Sequence, residues 1–293
     1  MPQTIKFPLD APFPTMNTEP GQKLYLLVDG GQIEQLAQSL YQVPDLKTPE
    51  PIYMRPPFDG LKAVSPYLVE ATEPVRQWFM AQNKPTAGFF FTSAWPQLSL
   101  SDYLRHLIQI ISPYGSEIYL KMAHSEVAWV LLSSASQLFW HPLEQAWLPT
   151  RMGWQHLTRP EFQSALPDFP LKLDDKQWTG LGEISERNAR ERLYHHMETY
   201  FPRSLQEQPE PTIWLNSLIE QGKTLGFESE QEQLLYLNII GYLGESAIND
   251  EQQYPDIRQL IHQPSQQTPE QRLERAAGLA QQYSHSLQEQ TQS

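Results

Sequence analysis

The stretch that most constrains the fold runs from residue 88 to residue 111 and reads GFFFTSAWPQLSLSDYLRHLIQII. Residues 89–91 form a short apolar run between Gly88 and polar or proline residues, which predicts a strand covered on both faces. A helix is predicted to begin at Ser99, because its side-chain oxygen can accept the free amide of Asp102 in the first turn. The next apolar residues repeat with the period of a helix and form one stripe: Leu100, Tyr103, Leu104, Leu107, Ile108 and Ile111.

The same alternation of strand and helix is predicted three times in the first half of the chain. Apolar runs at 24–28, 89–91 and 117–122 predict strands, and each is followed by apolar residues at helical spacing. The connection near 139–147 resembles a hairpin, with edge strands predicted at 137–141 and 145–148. These elements are typical of an α/β (α+β) domain in which helices flank a small mixed sheet.

Prolines and helix-start signals divide the chain into four segments. Five prolines in residues 1–21 predict an irregular arm on the surface, and the α/β domain is predicted over 22–157. The periodicity lapses over 158–172, where three prolines predict a linker. Start signals at Asp174 or Asp175, at Ser229 and at Thr268 predict an all-helical lobe over 173–293. The Gln- and Ser-rich end after Tyr283 is expected to be frayed.

Composition limits the classes of function. The 293 residues predict about two domains, and 11% aromatic with 19% charged residues indicate a globular protein. The net charge is −13 without a dense Lys/Arg face, which argues against nucleic acid and anionic membranes as partners. Cysteine is absent, which excludes disulfides and thiolate zinc sites. The sequence has no leader pattern and no membrane-length apolar run, so a cytoplasmic protein is expected.

Three residues are candidates for catalytic groups. Asp29 precedes two glycines after a strand, but neither phosphate-loop motif is present, so the carboxylate is expected to cap the next helix. Ser93 lacks the GxSxG context of a nucleophile elbow. His106 lies beside an apolar helical stripe, which favours a packing role over that of a general base. The histidines show no HExxH pattern, and no metal or cofactor is expected.

Four tryptophans concentrate near the end of the first domain: Trp95, Trp140, Trp147 and Trp154. Aromatic side chains are favoured at the centres of protein interfaces, so these residues are candidates for a partner-binding surface. Tryptophans are also common in cores, and the alternative is that most of the four are core or domain-interface residues.

Four segments read, in order, LYLLVDGGQIEQL, PYLVE, GFFFTSAWPQLSLSDYLRHL and EIYLKMAHSEVAWVLL. Together they resemble the DUF4123 family over residues 24–154. The landmarks are the strand that ends in Asp29, the segment 93–107 with His106 and Leu107, and the region of Phe139, Trp140 and Trp147. Residues 173–202 are also similar to the start of the helical C-terminal part of such proteins.

The resemblance implies a function, because proteins of this family are adaptor chaperones of bacterial type VI secretion. It implies a non-enzymatic protein that binds a type VI secretion effector in the cytoplasm and helps to load it onto a spike protein (VgrG-type). The resemblance implies no catalytic residues in this chain. The family often has Arg-Phe-Tyr-Asp-Pro where this chain has Lys-Met-Ala-His-Ser at 121–125. Lys121 and His124 cannot replace an Arg–Asp ion pair in kind, which weakens the case for a residue-level site there.

Two alternatives stay open from the residues alone. One is a small α/β enzyme with a site between the lobes that uses Asp29, Ser93 or His106. The other is a permanent structural component of the secretion assembly.

Overall fold

The structure is a computed structural model that describes residues 13–263 and 265–291. The strand predicted at residues 89–91 lies in a six-stranded sheet. The sheet order is β2-β3-β1-β4-β7-β8, and a separate two-stranded sheet joins β5 to β6. The strands are β1 (Lys23–Val28), β2 (Glu50–Pro51), β3 (Tyr67–Glu70), β4 (Gly88–Ser93), β5 (Gln109–Ile111), β6 (Glu117–Tyr119), β7 (Gln145–Thr150) and β8 (Gly153–Thr158). All pairings between these strands are antiparallel, and a parallel bridge joins Ile111 to Lys172.

The chain divides into two compact units, Met1–Ile184 and Ser185–Ser293. The helices of the first unit are α1 (Leu36–Tyr41), α2 (Glu73–Ala81), α3 (Gln97–Arg105), α4 (Ser125–Ser133) and α5 (Gln137–Trp140). A long helix, α6 (Asp175–Tyr200), begins in the first unit and ends in the second. The second unit continues with α7 (Pro202–Gln206), α8 (Pro211–Thr224), α9 (Glu230–Leu243), α10 (Pro255–His262) and α11 (Pro269–Thr291). The predicted class, an α+β part followed by a helical part, is confirmed.

The central strand β4 is buried on both faces, as the apolar run predicts. Phe89 and Phe91 point into a core cluster that also contains side chains of α3, α4 and α5. Phe90 points the other way, into a second cluster with Trp147 and with side chains of α1 and α2. Because successive strand residues face opposite sides, three consecutive phenylalanines serve two separate cores.

The helix after β4 is shorter than the apolar stripe predicts. It begins at Gln97 and not at Ser99, and it ends at Arg105. Residues 109–111, predicted as its last turn, form β5, whose backbone pairs with β6. The amide of Ile111 also donates to the carbonyl oxygen of Leu171 at 2.8 Å. These strand bonds draw the amides away from the i−4 carbonyls that a helix would require.

The hairpin at the end of the first sheet is displaced from its predicted position. Residues 137–141, predicted as a strand, form the short helix α5, in which the Trp140 amide donates to Ser136 O at 2.9 Å. The hairpin is built instead by β7 and β8, joined by a tight turn in which Gly153 has a φ of 104°. Glycine adopts that left-handed conformation without a steric penalty.

The described part of the predicted arm, residues 13–21, contains no helix or strand, and residues 1–12 lie outside the described residues. Phe13 contacts the sheet edge-on, with its ring centroid 5.8 Å from that of Phe90 and 5.4 Å from that of Trp154.

Reciprocal caps mark the helix starts that the sequence predicts. The Gln177 amide donates to Asp174 Oδ1 at 2.7 Å, and the Gln177 side chain accepts from the Asp174 amide. Ser229 and Glu232 form a complete capping box, and Thr268 pairs with Gln271 in the same way. The predicted frayed end differs, because α11 continues as far as Thr291.

The division between the two units falls inside α6, after Ile184. Residues 158–172, predicted as a linker, belong to the first unit, where Leu171 is buried in the core together with Leu173. No helix in the described part of the chain is both long and apolar enough to cross a membrane.

Candidate functional site

The four tryptophans predicted to bind a partner occupy different environments. Trp140 and Trp147 are 1% and 3% exposed, so in this conformation they present no surface to a partner. Trp95 and Trp154 are half-buried. Trp154 lies near Phe13 and Phe90, whereas Trp95 lies in the loop between β4 and α3.

The backbone of Trp95 is fixed from both sides. Its amide donates to Ser93 Oγ at 3.0 Å, and its carbonyl oxygen accepts the hydroxyl of Tyr25 at 3.0 Å. Ser93 and Tyr25 are both buried in the sheet, so the loop that carries Trp95 is attached to the rigid core. A partly exposed indole on a rigid support loses little conformational entropy when it binds.

Trp95 belongs to a contiguous group of rings, here called the aromatic surface: Trp95, Tyr103, His106, His141 and Phe169. The Trp95 ring is perpendicular to Tyr103 at 5.5 Å and to His141 at 5.2 Å between centroids. Phe169 meets Tyr103 at 5.4 Å and stacks on His106 at 5.0 Å. Perpendicular and offset arrangements at these separations are the favoured geometries for aromatic pairs.

Phe169 reaches this group from an irregular segment that is held at both ends. At one end, the amide of Arg159 donates to Glu144 O at 2.8 Å. At the other end, Leu171 accepts from Ile111, and the Leu173 amide donates back to Ile111 O at 2.9 Å. Phe169 itself is 38% exposed, so the segment presents an apolar ring to solvent.

The environment of the aromatic surface favours the uncharged forms of Tyr103 and His141. Burial raises the pKa of the Tyr103 phenol, although Arg159 acts in the opposite direction, and the hydroxyl donates to Leu138 O at 2.8 Å. Burial and, to a smaller extent, the positive charge of Arg159 lower the pKa of the His141 imidazole. Arg159 pairs with Glu144 at 3.3 Å beside these rings.

The sequence points to Trp95 and His106, but it does not mark Phe169 and assigns no role to His141. Phe169 lies in the segment predicted as a linker, where no periodicity indicates a surface. The approach of residue 169 to residues 103 and 106 depends on long-range pairing of Leu171 and Leu173 with Ile111. Local sequence patterns carry no signal for such a contact.

The three residues of the enzyme alternative are not brought together. Asp29 follows β1 and Ser93 ends β4, and because these strands pair antiparallel the two residues lie at opposite ends, about 20 Å apart. Asp29 Oδ1 accepts the Gly31 amide at 2.8 Å, which makes it a turn residue and not the predicted cap of α1. His106 is exposed and stacks on Phe169, in place of the predicted packing position.

A shallow cleft of about 510 Å³ lies where α4 meets the start of α6. Its polar lining residues include Ser133, Gln177 and Glu183, of which Gln177 is engaged with Ser134 and with the cap of α6. Within the described residues, no three His, Asp or Glu side chains come close enough together to hold a metal ion.

Comparison with known proteins places this fold in a family. Residues 24–141 match the family described as a domain of unknown function, DUF4123. Over 279 residues the chain is 46% identical to the accessory protein VasW of Vibrio cholerae serotype O1, an alignment that covers 94% of each chain. The chain belongs to the DUF4123 family. No solved structure matches it.

The DUF4123 match covers only part of the aromatic surface. Trp95, Tyr103, His106 and His141 fall within residues 24–141, and Phe169 lies beyond them. The departure from the family pattern at 121–125 lies at the start of α4, where His124 and Ser125 are buried and Ser125 donates to the carbonyl oxygen of Pro149. Ser125 therefore supports β7, and none of residues 121–125 belongs to the aromatic surface.

Proposed function

We propose that this protein is a non-enzymatic accessory protein of a type VI secretion system, an adaptor chaperone that binds an effector in the cytoplasm. In this proposal it then helps to load the effector onto a VgrG-type spike protein. Membership in the DUF4123 family and the 46% sequence identity to the accessory protein VasW support this role. The structural observation that carries it is the aromatic surface, which is rigidly supported and partly exposed.

The composition of the aromatic surface favours binding over chemistry. Trp, Tyr and Arg are the residues most enriched among those that dominate binding energy, and here Trp95 and Arg159 flank Tyr103. Interfaces of ordinary size bury about 1,200–2,000 Å², with a few such anchors near the centre. Phe169, which is exposed, and Trp95, which is half-buried, are the candidate anchors in this surface.

The experiment is co-expression of the tagged chain with the product of each neighbouring gene in its genome. The wild-type chain should capture an effector, which is here called the captured partner. Trp95→Ala or Phe169→Ala should weaken its binding by about 2 kcal/mol, which is roughly thirtyfold in Kd.

Tyr41→Ala is the matched control, because Tyr41 is an aromatic residue of the same unit, 65% exposed, on α1. α1 packs into the core cluster on the other face of the sheet. This variant should bind like the wild type. If folded Trp95→Ala and Phe169→Ala variants capture the partner normally, the aromatic surface is not the binding site. Detection of the chain in secreted material would favour a structural component over a chaperone that stays behind.

A further inference from the structure

Among the residues that the structure describes, β8 is the last strand of the six-stranded sheet and pairs with β7 alone. In an antiparallel pair, successive residues alternate between those that bond to the neighbouring strand and those that point away from it. The amide of Arg159 donates to Glu144 O at 2.8 Å, and these two residues are the next pair in the register of β7 and β8. This hydrogen bond shows which residues of β8 bond to β7. Leu157 and Gln155 therefore bond towards β7, whereas Thr158 and His156 present their backbone groups outwards.

Residues 153–158 carry none of the sequence features that usually prevent pairing at a strand edge. Natural edge strands are protected by charged side chains, prolines or bulges, but residues 153–158 read GWQHLT. In the described part of the chain, no loop or side chain accepts a hydrogen bond from the amides of His156 and Thr158. The His156 ring turns back onto the sheet, where it stacks on Trp147 at 4.8 Å and contacts Gln145. The Thr158 side chain is exposed.

We propose that the outer edge of β8 binds an extended segment of the captured partner as an added strand. Unpaired backbone donors and acceptors in a row are the groups that recognise another main chain, and strand addition is a common mode of peptide binding. The edge also continues into the aromatic surface, since Thr158 is followed by Arg159, which lies beside His141 and Tyr103. A segment paired with β8 would therefore pass directly onto the aromatic surface.

This inference rests on the proposed function, because the occupant is a segment of the partner that the adaptor binds. The main chain supplies most of the affinity in this mode, and exposed side chains on the edge matter less. The strand edge and the aromatic surface can therefore be tested separately.

Thr158→Pro is the decisive variant. Proline removes the outward amide and places its ring on the edge, without removing a donor that bonds to β7. Thr158→Val is the matched control, because it keeps the amide and the branched side chain. The proline variant should bind the captured partner at least about tenfold more weakly, whereas the valine variant should bind like the wild type. Equal binding by a folded Thr158→Pro protein would overturn the proposal.

Hydrogen exchange resolved to single amides gives a second measurement that needs no variant. Addition of the captured partner to the wild-type chain should slow exchange at His156 and Thr158 by about tenfold or more, with little change at Leu157, which is already bonded to β7. Unchanged exchange at both outward amides, or full protection of both before the partner is added, would overturn the inference. If the wild-type chain captures no neighbouring gene product, the proposed function fails and the inference fails with it.

Discussion

The ring of Phe201 lies against the backbone of Gly241, so closely that a β-carbon built on the glycine would be 2.4 Å from Phe201 Cγ. Gly241 lies within α9, and Phe201 is the residue between α6 and α7. The same ring meets Tyr242 edge-on at 5.0 Å. This contact explains a glycine in the interior of a helix, a position where glycine is otherwise unfavourable.

Gly241→Ala should therefore destabilise the second unit. Alanine is the better helix former by about 1 kcal/mol, but the methyl group has no space beneath the Phe201 ring. Overpacking of this kind typically costs about 1–3 kcal/mol, so we expect a net loss of stability in urea unfolding followed by circular dichroism.

Gly278→Ala is the control for this prediction. Gly278 lies in α11 of the same unit, and a β-carbon there meets nothing within 4 Å. The substitution should stabilise the unit by up to about 1 kcal/mol. If Gly241→Ala stabilises the protein to the same degree, the contact with Phe201 is not as close as described.

The stripe of α3 gives a second prediction. Leu104 of α3 is 3% exposed, and Leu107, which follows the end of that helix, is fully buried. Leu98, also on α3, is 64% exposed. Leu104→Ala or Leu107→Ala should cost about 2–5 kcal/mol, because each leaves a cavity in a packed core. Leu98→Ala should change the free energy of unfolding by less than about 0.5 kcal/mol. A small effect at Leu104 would place the inner face of α3 in solvent, and a small effect at Leu107 would do the same for the residues that follow the helix.

The sequence predicts those parts of the fold whose signals are local. The capping box of Ser229 and Glu232 is one example, because four consecutive residues contain all of its hydrogen bonds. Apolar residues at 108 and 111 fit the period of a helix, but residues 109–111 pair with β6 and form a strand. Trp140 has high strand propensity, yet burial and a bond from its Nε1 to Leu132 O place it in α5.

The aromatic surface was predictable only in part, for the same reason. Trp95 follows a buried strand and precedes a helix, so the sequence alone suggests that its loop lies at the edge of the core. Its neighbours His141 and Phe169 are 46 and 74 positions further along the chain. The approach of His141 depends on how the sheet orders β4 beside β7, and that of Phe169 on the pairing of Leu171 and Leu173 with Ile111. Local patterns encode neither arrangement.

Because His141 is partly buried, the free energy of unfolding should depend on pH. Burial, followed by the charge of Arg159, lowers the pKa of the imidazole in the folded state. The unfolded chain therefore binds a proton first as the pH falls, and it binds more protons than the folded chain below the ordinary histidine range of about 6.5. The stability that His141 contributes is present above that pH and is lost below it.

His141→Gln tests this dependence, because it removes the titrating group and keeps a polar side chain. Denaturant midpoints measured between pH 5 and pH 8 should fall less steeply on the acid side for the variant than for the wild type. Parallel profiles for the two proteins would mean that His141 is not held in its neutral form.

The last prediction separates the roles of the tryptophans. Trp140 is 1% exposed and donates from Nε1 to Leu132 O at 2.9 Å, and Trp147 packs in the opposite core. Trp140→Ala or Trp147→Ala should therefore lower the free energy of unfolding by about 3–5 kcal/mol, as expected for a buried aromatic residue. Any loss of partner capture should follow the loss of folded protein. Trp95→Ala removes a partly exposed ring, so capture should weaken more than stability does. Unfolding midpoints and capture are measured on the same preparations and compared per folded molecule. If Trp140→Ala stays folded and loses capture, the partner must reach a ring that is buried here, and binding would have to open the first unit.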